Sequence, residues 1–251
     1  VCPSHGRAGA APCRCAEITH VKTPHFQNRP IAAVLFDLDG TVLDTVGDIA
    51  LALQRAFADR GLPAPAPAEV RQMIGRGAPM LVERADAALG LQLSEPAKAE
   101  VLDRFFHHYG RLQETDEVAA EPFPGALECL RALHADGVPL AIVTNKYERF
   151  ARGLVNRLGF SPYVMLVVGG DTCERRKPDP QPLQWAATQL GAPHAQTLMV
   201  GDSINDVKAA RAAGMPVVCV PYGYNEGADP RSLPCDAFVE TLDQLPALLG
   251  L

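Results

Sequence analysis

Two carboxylates one residue apart, Asp37 and Asp39, close an apolar run over residues 31–36 and lead into Gly40 and Thr41. Such a run reads as a buried strand. Carboxylates at the end of a buried strand cost free energy unless a cation or a proton compensates them. In an open α/β sheet the carboxyl ends of the strands are also where ligands bind. Charge and position together point to the centre of a metal-assisted phosphoryl-transfer site. Three further clusters offer the missing parts. Thr144-Asn145-Lys146 follows a second apolar run and carries a hydroxyl and an amide that can donate to a phosphoryl oxygen. Lys177, beside Pro178, offers a point charge held in place by a stiff backbone. Asp202 and Asp206 stand four apart around a helix start, so both can face one point; magnesium takes a few carboxylates and keeps several waters. Each cluster alone has a plainer explanation, because Thr, Asn and Asp are all helix N-cap residues and a loop lysine is usually solvated. Their order along the chain is not explained that way.

The elements that must position these residues follow from periodicity. Beyond the first strand, Val46, Ile49, Ala50, Leu53 and Phe57 recur at helical spacing. Only helical patterns follow up to residue 120, punctuated by Pro63, Pro65 and Pro67, by Gly75-Arg76-Gly77, and by Gly90. From residue 125 helices over 125–136, 147–158, 180–190 and 205–213 alternate with strands over 138–144, 164–168, 197–201 and 216–220. Alternation of this kind predicts a doubly wound parallel α/β sheet with a Rossmann-like core. Residues 46–120 then form an α-helical cap domain inserted after the first strand, and residues 30–45 and 121–251 the core domain. Residues 1–29, rich in Gly, Ala, Pro and Cys, are expected to be a disordered tail.

With order and placement in hand, the sequence resembles the haloacid dehalogenase-like hydrolase superfamily. Asp37-x-Asp39-Gly40-Thr41, Thr144-Asn145, Lys177-Pro178 and Gly201-Asp202-x-x-Asn205-Asp206 look like its four motifs. Within it the chain is most similar to the bacterial phosphoglycolate phosphatases, on Ile74-Gly75-Arg76-Gly77-Ala78, Gly169-Gly170-Asp171, Pro221-Tyr222-Gly223-Tyr224-Asn225 and the chain end from Leu245. The resemblance implies that Asp37 is a nucleophile forming an aspartyl-phosphate and that Asp39 is the general acid and then the base. It further implies that Asp37, Asp39 (through its backbone carbonyl), Asp202 and Asp206 hold Mg2+, and that Thr144, Asn145 and Lys177 bind phosphate. The implied reaction is hydrolysis of a small phosphate monoester, 2-phosphoglycolate first. Arg76, between two glycines, is the expected partner of its carboxylate, and Lys146 a second candidate for substrate recognition. The run Phe105-Phe106-His107-His108-Tyr109 reads as cap core with exposed histidines.

Composition narrows the classes. The 251 residues are 47% hydrophobic, enough for a large core, and the formal net charge of -6 argues against a nucleic-acid surface. No apolar stretch reaches the length of a membrane span. Seven cysteines without metal-ligand spacing read as reduced thiols, and a cytoplasmic location is expected. Alternatives on the same core motifs are a sugar-phosphate phosphatase, for instance of an amino-sugar 6-phosphate, and a phosphomutase. A dehalogenase is disfavoured, because a halide leaving group needs no acid at Asp39. A non-catalytic binding module is disfavoured because every motif position holds a chemically competent residue.

Overall fold

The strand that ends in Asp37 lies in the middle of the molecule. The computed structural model describes residues 23–115 and 117–251. In chain order it begins with β1 (His25–Phe26) and β2 (Arg29–Pro30), followed by β3 (Ala33–Phe36) and β4 (Leu43–Asp44). Helices α1 (Val46–Ala58), α2 (Pro67–Met73), α3 (Ala78–Leu89) and α4 (Glu95–Glu114) come next, and then β5 (Glu121–Pro122). The remainder alternates: α5 (Ala126–Ala135), β6 (Leu140–Val143), α6 (Glu148–Arg157), β7 (Leu166–Val168), α7 (Gln181–Gln189), β8 (Thr197–Gly201), α8 (Ile204–Ala213), β9 (Val217–Cys219), β10 (Ala237–Phe238) and α9 (Leu245–Leu248).

Six strands form one parallel sheet in the order β10-β9-β8-β3-β6-β7. The chain therefore starts in the centre, winds out one way through β6 and β7, and returns to wind out the other way through β8, β9 and β10. Side chains alternate between the faces of a strand, and β3 shows the result. Val34 and Phe36 join a core with Leu130 and Leu133 of α5 and Leu154 of α6, whereas Leu35 joins Leu183 of α7 and Val207 of α8 on the opposite face. Both faces are covered by helices, as a doubly wound sheet requires. In the register Phe36 lies opposite Ile142 on one side and Val200 on the other. Asp37, Thr144 and Asp202, each one or two residues further on, thus emerge side by side at the sheet's carboxyl edge.

Helices α1 to α4 make the cap. It is tied to the core through the antiparallel pair β4 and β5, where Leu43 faces Pro122 and Asp44 faces Glu121. The cap has its own apolar cluster, including Leu53, Phe57, Val70, Leu81, Ala85, Val101 and Leu112. The break expected at Gly75-Arg76-Gly77 is the turn between α2 and α3, with Gly75 and Gly77 both at positive φ. Of the tail expected over residues 1–29, residues 1–22 lie outside the described residues. The last residues of that stretch are not a loose tail: β1 and β2 form a hairpin whose turn residues Gln27 and Asn28 have φ of 50° and 65°, and Phe26 is buried in the core. One aromatic anchor at the end of a polar stretch gives this segment its place. No helix among the described residues is long and apolar enough to cross a membrane.

Candidate active site

The turn after β3 sets the first carboxylates. Asp37 Oδ1 accepts from the Leu38 N–H at 2.7 Å and lies 2.9 Å from Lys177 Nζ. Gly40, at φ 87°, brings the chain against Asp202; a Cβ there would stand 2.2 Å from Asp202 Oδ2. Only glycine fits that approach. Asp202 is itself held from two sides, its Oδ1 accepting from Thr41 Oγ1 at 2.9 Å and its Oδ2 from the Tyr224 N–H at 2.6 Å. Asp206, in the first turn of α8, accepts at Oδ2 from the Ser203 N–H at 3.1 Å and Ser203 Oγ at 2.7 Å, which caps the helix. Its other oxygen takes Lys177 Nζ at 2.7 Å. The capping explanation and the site explanation thus hold together for Asp206, one oxygen serving each.

One carboxylate oxygen from each of Asp37, Asp202 and Asp206 lies within 4.8 Å of the others. Lys177, 2% exposed, is the ammonium shared by Asp37 and Asp206, and it also donates to the Val143 carbonyl at 2.6 Å. Three acids around one ammonium leave net negative charge in a place where water is scarce. Burial accordingly pushes the Asp37 carboxyl up to about 7, against the opposing pull of Lys177. Burial raises Asp202 as well, reinforced by the negative charges of Asp206 and Asp37. Burial alone would lower Lys177, but Asp206 and Asp37 reverse that and hold its ammonium above the ordinary lysine value. A buried, oxygen-only donor set with uncompensated negative charge fits a hard divalent cation such as magnesium.

Asp39 is set apart from this trio. Its carboxylate takes Thr45 Oγ1 at 2.6 Å and Lys146 Nζ at 2.7 and 2.8 Å. Lys146 is nearly as buried as Lys177, with its side chain 8% exposed. Thr144 lines the chamber between core and cap, together with Asp37, Asp39 and Lys146, and its Oγ1 accepts from the Lys146 N–H at 3.2 Å. Asn145 departs from the expectation that it faces a phosphoryl group with its amide. Its Nδ2 donates to the carbonyls of Gly75 and Lys177, both at 2.9 Å, so its side-chain donors tie the cap loop and the Lys177 loop to β6.

Arg76 departs further. Gly75 and Gly77 line the chamber, but the Arg76 side chain is turned to the seam between cap and core. There Arg76 Nε donates to Glu226 Oε1 at 3.1 Å, and Arg84 holds the other oxygen at 2.7 Å. Asn205 Nδ2 adds a third bond to Glu226 at 3.1 Å. The physical reason is local charge: a carboxylate already gripped by Arg84 is a nearer partner for Arg76 than the chamber is. Nearby, Arg71 donates to the Tyr222 carbonyl at 2.7 Å, so the segment 222–226 receives the cap along its length. Sequence reasoning missed Glu226 and Tyr109. Glu226 directly follows the Tyr222-Gly223-Tyr224-Asn225 run, which was the available signal. Tyr109 stood in an aromatic run whose spacing is the same whether its face packs or lines a cavity.

Comparison with known proteins agrees with this geometry. A family model described as Haloacid dehalogenase-like hydrolase matches residues 34–220. A protein of Thiobacillus denitrificans described as phosphoglycolate phosphatase is 42% identical over 216 residues, covering 85% of this chain and 93% of that one. A Rhodospirillum rubrum protein of the same description is 45% identical over 198 residues, covering 77% and 80%. Among solved structures, a predicted phosphoglycolate phosphatase from Haemophilus somnus aligns with a TM-score of 0.80 at 30% identity, covering 86% of this chain and 96% of that one.

Proposed function

The chain belongs to the haloacid dehalogenase-like hydrolase family, and from that premise we propose that it is a magnesium-dependent phosphatase whose substrate is a small phosphate monoester, 2-phosphoglycolate. The observation that carries this reading is the meeting of Asp37, Asp202, Asp206 and Lys177 at one sheet edge, beneath a chamber closed by the cap. The names of the close relatives support the substrate. The division into a core of residues 30–45 and 121–251 and a cap of residues 46–120 is part of the same reading, supported by the cap's separate apolar cluster. So is a cytoplasmic location, supported by Cys129, Cys173, Cys219 and Cys235, all free thiols.

In this mechanism the Asp37 carboxylate attacks phosphorus as the ester oxygen departs. Asp39 gives that oxygen its proton, and glycolate leaves with Asp37 phosphorylated. Asp39 then takes a proton from the water that attacks the aspartyl-phosphate, which returns Asp37 and releases inorganic phosphate. Splitting one displacement into two is the advantage of a covalent nucleophile. Lys177 and the Thr144 hydroxyl offset charge on the transferring group, which in phosphoryl transfer carries most of the catalysis. Thr45 and Lys146 hold Asp39 at the chamber. Magnesium, held by Asp37, Asp202 and Asp206 with the Asp39 carbonyl, would supply further neutralisation of the phosphoryl oxygens. Asn145 acts by position, fixing the Lys177 loop.

A panel of phosphate monoesters assayed with magnesium tests the substrate. The expected result is a kcat/KM for 2-phosphoglycolate at least about tenfold above those for glucosamine 6-phosphate and glucose 1-phosphate. Comparable rates on the hexose phosphates would remove the specific assignment, and conversion of glucose 1-phosphate to the 6-phosphate would mark a phosphomutase instead.

Metal binding should be linked to protons. With Asp37 raised to about 7 from 3.8 and Asp202 raised in the same direction, the folded metal-free protein holds protons that the unfolded chain has already lost. Its stability therefore falls as pH rises from about 4 to about 7. Magnesium needs these carboxylates ionised, so binding near pH 6 is expected to release at least about one proton per ion. Calorimetric titrations in two buffers of different ionisation enthalpy count that proton. Identical heats in both buffers would contradict the assignment of Asp37 and Asp202 as ligands.

A further inference from the structure

With Arg76 turned to the seam, the chamber must recognise its substrate by other groups. Its walls are largely apolar, formed by side chains such as Ile49, Leu81, Phe106 and Phe150. Among the described residues Lys146 is the one cation that lines it, and its ammonium is engaged by both carboxylate oxygens of Asp39. One further donor stands out. Tyr109 on α4 lines the same chamber and is 2% exposed, and its hydroxyl finds no acceptor. The ring is held firmly, stacked on Phe105 at 5.6 Å and edge-on to Phe150 at 5.1 Å between ring centres. Lys146 Nζ lies 4.9 Å from the ring centre and acts on the hydroxyl oxygen from the donor side; an ammonium has no lone pair to offer, so the hydroxyl proton still lacks an acceptor. A buried hydroxyl left unpaired is destabilising, and natural cores rarely keep one without a use.

The start of α3 supplies a matching field. Gly77 and Ala78 line the chamber at the start of α3, where Gly77 offers no side-chain cap and the first turn carries no acidic residue. The positive end of a twelve-residue helix thus faces the chamber unneutralised. The floor holds the phosphoryl-transfer residues. The same chamber is lined by a hydroxyl without an acceptor, a helix N-terminus and a lysine, which together suit a small acceptor bearing negative charge.

Resting on the phosphatase reading above, we propose that Tyr109 is a specificity-determining residue whose hydroxyl donates a hydrogen bond to the carboxylate of the leaving group, at a subsite completed by the N-terminus of α3. The preferred substrates are then short phosphate esters of hydroxy acids, with the carboxylate close to the ester oxygen.

The test compares wild type with Tyr109→Phe on 2-phosphoglycolate and on ethyl phosphate, which has the same two-carbon length and no carboxylate. A hydrogen bond to a charged acceptor corresponds to a loss of about ten- to hundredfold. The variant is therefore expected to lose kcat/KM on 2-phosphoglycolate by about tenfold or more beyond its loss on ethyl phosphate. Its thermal midpoint without ligand should be unchanged or higher, because the ring contacts stay and an unpaired hydroxyl goes. Equal losses on both substrates, or a lowered midpoint accompanying them, would mean that Tyr109 only supports the cap and would overturn the proposal. A wild type that prefers 2-phosphoglycolate, with that preference unchanged in the variant, overturns the role of Tyr109 alone. A wild type that does not prefer 2-phosphoglycolate to ethyl phosphate overturns the substrate reading and the carboxylate subsite together.

Discussion

Asp37→Asn is expected to abolish phosphatase turnover, by about a thousandfold or more, while leaving the protein folded. Loss of a covalent nucleophile removes the step on which the rest of the machinery acts, which accounts for the size of the effect. The amide has nearly the shape of the carboxylate and can keep the contact with the Leu38 N–H through its oxygen. It removes one of three crowded negative charges, and burial already resists the charge on Asp37, whose carboxyl is pushed up to about 7. Metal-free stability at neutral pH should therefore hold or rise in the variant, whereas the stabilisation gained from magnesium should shrink. Two measurements separate these effects. Thermal unfolding with and without magnesium reads the charge argument. Acid quenching during turnover of a labelled substrate reads the chemistry: wild type should retain label on the protein, and the variant none. Turnover within about tenfold of wild type would place the nucleophile elsewhere.

The second large effect is on stability. Lys177→Met is expected to destabilise the metal-free protein by about 3–5 kcal/mol at neutral pH, because it breaks a buried ion pair from one side. Lys177 Nζ holds Asp37 at 2.9 Å and Asp206 at 2.7 Å, and without it the carboxylates of Asp37, Asp202 and Asp206 face one another with no ammonium beside them. The loss should be smaller at pH 5, where Asp37 and Asp202, both raised by burial, can take up protons in place of the missing ammonium. Magnesium should restore part of it by supplying positive charge at the same spot. Turnover should fall by about a hundredfold or more even with the ion present, since a fixed charge on the transferring group is lost. Urea unfolding at the two pH values, with and without magnesium, tests the account. A change below about 1 kcal/mol in metal-free buffer at pH 7 would show that Lys177 is not the counter-ion of this site.

The residues easiest to read from the sequence were those whose placement follows from one strand. Apolar runs ending abruptly in Asp37, Thr144 and Asp202 fix both a strand and its polar tip, and parallel register then brings the tips together. Lys177 follows no such strand tip, but Pro178 and its place in the motif order mark it. Contacts between distant segments were not legible in this way. Arg76 meets Glu226 across 150 positions, and nothing in the spacing around either announces the other. The amide of Asn145 has two chemically equal uses, a phosphoryl oxygen or a carbonyl, and only the approach of Gly75 decides between them. For Tyr109 the obstacle is different. Phe105 and Tyr109 are four apart on α4, a spacing that defines a buried face but not whether that face meets side chains or a cavity. At the other end of the chain, buried Phe26 gives the β1–β2 segment a place in the core that a composition rich in Gly, Ala and Pro does not suggest.

The segment from Tyr222 to Glu226 is a further tie between the core and the cap. Its Tyr224 N–H holds Asp202, its Tyr224 hydroxyl meets Asp44 and accepts from the Thr45 N–H where the cap begins, and its Glu226 clasps Arg76 and Arg84. Lifting the cap means loosening this strip, and the strip is also the wall behind one of the site's acids. By reciprocity, a cation that tightened Asp202 would favour the closed cap by the same free energy that closure would add to its own retention. On the proposed magnesium site, admission of substrate and retention of the ion would then be one equilibrium, and the molecule would be least able to hold its cation when most open to solvent.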